Sequence, residues 1–154
     1  MKTYVLILAK TFPKGHPRAG QPTYFKEKFL HGNKLHTLRG NCDRWGIILT
    51  QVCNGEAELS IRQWRGVPYH SKQEVIKNLN FYDGVGYEII NMATLNKHER
   101  LKREIAMNDG MVLKDWEAWF NKELHNKTAV YRILIHFTTI RYKDYFPDCI
   151  RYTH

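Results

Sequence analysis

The sequence predicts an α+β fold, a curled and mostly antiparallel sheet with helices packed on its ends. Strand-like and helix-like stretches are interleaved without the βαβ rhythm of a doubly wound sheet. Hydrophobic residues make up 43% of the 154 residues, enough for a real core. No internal repeat or low-complexity linker divides the chain, so one domain over residues 1–154 is expected.

Tyr4 to Ala9 is β-prone and nearly all apolar, as a strand covered on both faces is. Pro13, Gly15, Pro17, Gly20 and Pro22 make residues 11–22 a loop. Thr23 is placed to cap a short helix with Phe25, Phe29 and Leu30 on one face, ended by Gly32 or Asn33. Asn41 is placed to cap a second helix, in which Trp45, Ile48, Leu49 and Val52 form one apolar stripe. Asn54-Gly55 stops it. From Glu56 to Trp64 the pattern alternates, with Ala57, Leu59 and Ile61 on one side and Glu58, Ser60, Arg62 and Trp64 on the other.

Ser71-Lys72-Gln73-Glu74 has the form of a capping box and predicts a short helix through Val75 and Ile76. Gly86 to Ala93 reads as a strand. Residues 94–108 read as a Lys/Arg-rich helix with sparse apolar contacts, broken by Asn108-Asp109-Gly110. Another helix is expected over 112–124 with Leu113, Trp116 and Phe120 inward. Ala129 to Phe137 reads as a closing strand: Tyr131, Ile133, Ile135 and Phe137 alternate with Arg132 and His136. The aromatic, basic tail after Thr138 has no evident place.

Composition narrows the function classes. The net charge of +9 points to an anionic partner, most often nucleic acid. The three cysteines, Cys42, Cys53 and Cys149, form no C-x-x-C pair, which argues against a disulfide framework and a structural zinc site. A reducing, cytoplasmic compartment is the expectation. Tyr4 to Ala9 imitates a signal peptide but is too short, with Lys10, Lys14 and Arg18 following at once. No run approaches the ~18 apolar residues of a membrane helix, so no membrane partner is expected. The eight histidines are scattered singly, so neither a metal nor another cofactor is expected.

The chemistry concentrates in Gly32, Asn33, Lys34, Leu35, His36, Thr37, Leu38 and Arg39. Threonine is a weak nucleophile that needs a base beside it. Lysine supplies one where burial or neighbouring cations lower its pKa. Such a spacing can bring an amine, a hydroxyl and a guanidinium to one pocket. The alternative is a solvated loop lysine beside a β-prone threonine.

The motif resembles the signature of the ASCH domains of the PUA-like superfamily, Gly-x-Lys-x-x-Glu-x-Arg. Gly32, Lys34 and Arg39 are in register, and Thr37 stands where most of the family has Glu. Lys-x-x-Thr-x-Arg is the form found in the branch that includes a bacterial N-acetylcytidine amidohydrolase. That branch has a downstream carboxylate before apolar residues and a short helix, a position that Asp109 matches, with Met111 and Leu113 after it. Asp109-Gly110 also reads as an ordinary helix-ending turn. Asp is one methylene shorter than Glu, and the chain is longer than the minimal hydrolase, with extra sequence around Trp64 to Asp83.

The resemblance implies a PUA-like open β-barrel with helices around it. It also implies RNA or a modified nucleoside as partner, in a basic cleft lined by Gly32, Lys34, His36 and Arg39. In the hydrolase branch the catalytic set is Lys34, Thr37 and Asp109. Independently, Arg62, Trp64 and Arg65, followed by Tyr69 and His70, form a basic-aromatic cluster suited to bases and phosphates. Equally, Trp64 can pack under the loop that follows it. A third possibility is a protein-interaction adaptor, which predicts an exposed apolar patch around Trp64 or Trp119.

Overall fold

The computed structural model describes residues 1–153, which form an α+β fold with two sheets. The first sheet has the order β1 (Lys2–Ile7), β3 (Ala57–Trp64), β4 (Gln73–Leu79). The second has the order β2 (His36–Arg39), β6 (Tyr131–His136), β5 (Gly86–Asn91), β7 (Ile150–Thr153). Every ladder is antiparallel except β1 with β3. The sheets remain separate, and no closed barrel forms among the described residues.

The helices are α1 (Phe25–Leu30), α2 (Cys42–Cys53), α3 (Met92–Asn96), α4 (Glu99–Asn108), α5 (Leu113–Trp119) and α6 (Asn121–Leu124). In α2 the expected stripe is the buried one: Trp45, Ile48, Leu49 and Val52 pack against β3, β5 and β6. Asn41 caps it by accepting a hydrogen bond from Arg44 N, and Gly55, at φ +77°, turns the chain beyond it.

Several expectations are corrected. Ser71–Glu74 opens no helix, and residues 73–79 are β4 instead. The Ser71 hydroxyl is used otherwise: it accepts from Gly66 N and donates to Val67 O, closing the hairpin loop between β3 and β4. The helix expected over 94–108 is two, because Asn91 caps α3 earlier and His98 leaves helical geometry. The 112–124 helix is likewise divided at Phe120. β1 lies at a sheet edge; Leu6 and Leu8 on one face are buried, and Val5, Ile7 and Ala9 on the other are half-buried, so the second face is only partly covered. In β6 the alternation fails at His136, which is fully buried between β2 and β5.

The tail acquires a place. β7 pairs with β5, and ahead of it Glu88 accepts hydrogen bonds from Tyr142 N (2.8 Å) and Lys143 N (2.9 Å). His136 Nε2 lies 2.8 Å from the same carboxylate. A buried carboxylate with three partners is an anchor that only the fold can assemble. No helix is long and apolar enough to cross a membrane among the described residues.

Candidate functional site

The site begins where α1 ends. Gly32, at φ +78°, turns the chain, and Asn33 N and Lys34 N both donate to Lys28 O. The next two residues dock on the turn after α4: Lys34 and Asp109 form an isolated antiparallel bridge, and Leu35 N donates to Asn108 O at 2.6 Å. That backbone pairing brings together side chains 75 residues apart. Lys34 Nζ donates to Asp109 Oδ1 at 2.5 Å and to Asp109 O at 2.9 Å. The backbone bridge itself puts the short aspartate side chain within reach of Lys34.

Both partners are buried, Lys34 2% and Asp109 1% exposed. The other carboxylate oxygen accepts from Trp116 Nε1 at 3.1 Å. The Lys34 ammonium also lies 4.0 Å from the centroid of the Phe25 ring. Burial lowers the Lys34 pKa despite the attraction of Asp109, and Arg39 and Lys28 push the same way. Burial raises the Asp109 pKa against the pull of Lys34. Both shifts narrow the gap between the charged and the neutral pair.

β2 supplies the next two groups. Alternation puts Thr37 and Arg39 on one side of the strand and His36 on the other. Arg39 Nη1 donates to Thr37 Oγ1 at 2.7 Å and to Leu38 O at 2.8 Å, while Nη2 donates to Ile7 O at 2.6 Å. Arg39 thereby joins the end of β1 to β2 and holds the threonine hydroxyl. A donor on that oxygen favours its ionised form.

Lys34, Thr37, Arg39 and Asp109 all line one cavity of about 540 Å³. Trp64 and Tyr69 line it from the β3–β4 hairpin, Phe25 from α1, and Trp119 and Phe120 from the α5–α6 junction. Lys10 adds a further cation. An apolar cavity of a few hundred Å³ with a few convergent polar groups is the usual form of a small-molecule site. No family model matches the chain, nor does any curated protein or solved structure.

Other expected site residues lie elsewhere. His36 is buried behind the cavity with Nε2 2.8 Å from the Tyr142 hydroxyl, so it does not face a ligand there. Gly32 lies outside the cavity lining and only shapes the approach to Lys34. Arg62 donates to Ser60 Oγ on its own strand and to Gln73 Oε1 on the neighbouring β4. Arg65 does not line the cavity either; its backbone O accepts from Lys10 Nζ at 2.7 Å. Trp64 does line it, and its ring lies 5.1 Å from that of Tyr69. Trp64 and Trp119 are themselves half-buried, whereas Val67, Pro68 and Tyr69 beside Trp64 are exposed. Among the described residues no group of three or more His, Cys, Asp or Glu side chains is placed to hold a metal.

Two neighbours of the cavity residues carry no sequence signal. Trp116 reads from its spacing as a core residue, yet its indole nitrogen holds the Asp109 carboxylate. Tyr142 lies in the unplaced tail, yet its hydroxyl accepts from Asn108 Nδ2 at 2.8 Å while touching His36. It therefore ties the segment bearing Asp109 to the strand bearing Thr37.

Proposed function

We propose that this protein binds a modified nucleoside, free or presented by RNA, in the cavity above Lys34, Thr37, Arg39 and Asp109. The observation that carries the reading is the convergence of those four side chains at a cavity with aromatic walls. Aromatic faces take the planar base, and the buried cations and carboxylate address its polar edge. The resemblance of Gly32, Lys34, Thr37 and Arg39 to the ASCH motif supports the same ligand class, and a PUA-like relationship for the fold. The cavity has the size of a small-molecule site, which favours one nucleoside over an extended strand.

A second reading, amide hydrolysis of an N-acylated cytidine, is favoured by the Lys34–Asp109 pair with its lowered lysine pKa beside the Arg39-bound Thr37 hydroxyl. In that chemistry Thr37 Oγ bonds to the acyl carbon, and its proton passes to neutral Lys34. The C–N bond breaks, and Lys34 returns the proton to the departing amine. Water then cleaves the acyl–threonine ester and releases the carboxylic acid. In this reading Arg39 stabilises the tetrahedral oxyanion, and Asp109 orients Lys34.

Calorimetric titration with cytidine and N-acetylcytidine tests the binding. Saturable one-site binding that Arg39→Ala weakens is expected; no heat from either nucleoside overturns the reading. Incubation with N-acetylcytidine and chromatography for cytidine tests the chemistry. Thr37→Ala should bind and release nothing, whereas equal release by wild type and Thr37→Ala removes the hydrolase reading.

A further inference from the structure

The eight residues that join β3 to β4, Arg65 to Lys72, hold themselves in shape. Arg65 N donates to Lys72 O at 2.9 Å, His70 N to Val67 O at 3.1 Å, and Ser71 bonds both Gly66 N and Val67 O. Lys10 Nζ ties the loop base to the end of the first strand through Arg65 O. Within this platform Tyr69 stands at φ +66°, in the left-handed region that a tyrosine rarely adopts.

Packing on Trp64 is the one contact the fold gives the Tyr69 ring among the described residues. Its side chain is 86% exposed, and its hydroxyl has no hydrogen-bond partner among the described residues. Its ring touches Trp64 at 5.1 Å between centroids with a 48° tilt, and both rings line the cavity. Trp119 and Phe120, which also line the cavity, form a second aromatic pair with ring centroids 6.4 Å apart. A large aromatic ring held in a strained conformation, exposed and at a cavity mouth, indicates a ring held for a ligand.

We infer that Tyr69, backed by Trp64, is the stacking wall that receives the planar base of the bound nucleoside. The inference rests on the nucleoside reading and adds the residue that captures the base. It divides recognition in two. The wall accepts any base, because every base has a π-face. Discrimination belongs to the groups around Lys34 and Arg39, where hydrogen bonds to the base edge are made. Tyr69 is therefore a contact residue for affinity, while the hydroxyl it carries is dispensable.

The test compares wild type with Tyr69→Phe, Tyr69→Asn and Tyr69→Gly, each titrated with cytidine and N-acetylcytidine and each melted thermally. Asn and Gly both tolerate positive φ, so neither needs the loop to move. Tyr69→Phe should bind like wild type. Tyr69→Asn and Tyr69→Gly should bind both nucleosides at least about fivefold more weakly, the lower end of a lost stacking contact. Their melting temperatures should be unchanged or higher. Loss of binding without loss of stability is a pattern that a merely structural tyrosine does not give. Wild-type binding retained in Tyr69→Asn and Tyr69→Gly overturns the wall alone, as does a drop in melting temperature that accounts for the weakened binding. Absence of binding by wild type itself overturns the nucleoside reading and the wall with it.

Discussion

A buried lysine and a buried aspartate are each costly alone and tolerable together. Lys34 and Asp109 satisfy one another at 2.5 Å, with Trp116 on the remaining carboxylate oxygen. Removing one partner by Lys34→Met or Asp109→Leu leaves an uncompensated buried group, at a cost of about 3–5 kcal/mol. The double variant Lys34→Met/Asp109→Leu leaves no such group and should recover most of that loss. Urea unfolding of the four proteins checks this, and a double variant as unstable as the sum of the singles would contradict it. The motif made Lys34, Thr37 and Arg39 legible, because they share one strand and its approach. Asp109 was legible only as a residue type at a plausible distance downstream. Its partner is settled by a β-bridge, which leaves no trace in local sequence.

At the scale of elements, the tail is a strap across the second sheet. Glu88 on β5 holds its backbone at Tyr142 and Lys143, and the Tyr142 hydroxyl meets Asn108 and His36. Burial drives the pKa of His36 well below 6.5, with His136 and Lys34 pushing the same way. Burial lowers that of His136 too, against the attraction of Glu88. Between those lowered values and 6.5 the unfolded chain binds more protons than the folded one, so stability rises with pH through that window and falls on acidification. Urea midpoints taken from neutral pH downward should therefore drop, and the drop should be shallower in His36→Gln/His136→Gln. An identical pH profile in that variant would mean that neither imidazole is the cause. The capping-box error has the same origin as the strap's invisibility. Ser71 bonds wherever the chain offers partners, and here the hairpin offers Gly66 N and Val67 O in place of a helix N-terminus.

For the whole molecule, the +9 charge is a property of the entire surface and acts at longer range than the cavity. Single-stranded RNA should bind at low salt and release steeply as salt rises, because phosphate neutralisation sets counterions free. A neutral nucleoside in the cavity should show almost none of that dependence. Filter binding of RNA and calorimetry of cytidine, each at low and moderate salt, separate the two contributions. Equal salt slopes for both ligands would show that the cavity and the surface are not distinct modes.

The sequence alone determined the α+β class, the α2 stripe, most strand positions and the Lys34–Thr37–Arg39 motif. All of these are local, set by periodicity, capping and spacing within a few residues of one another. Only the tertiary structure decided that Asp109 meets Lys34, that His36 turns away to Tyr142, and that Trp64, Tyr69, Trp119 and Phe120 enclose one cavity. It also decided that the strands make two sheets, one containing a parallel pair, and no closed barrel among the described residues. Those outcomes depend on which distant segments bury each other's polar groups, a competition among all pairings of the chain that no single stretch of sequence records.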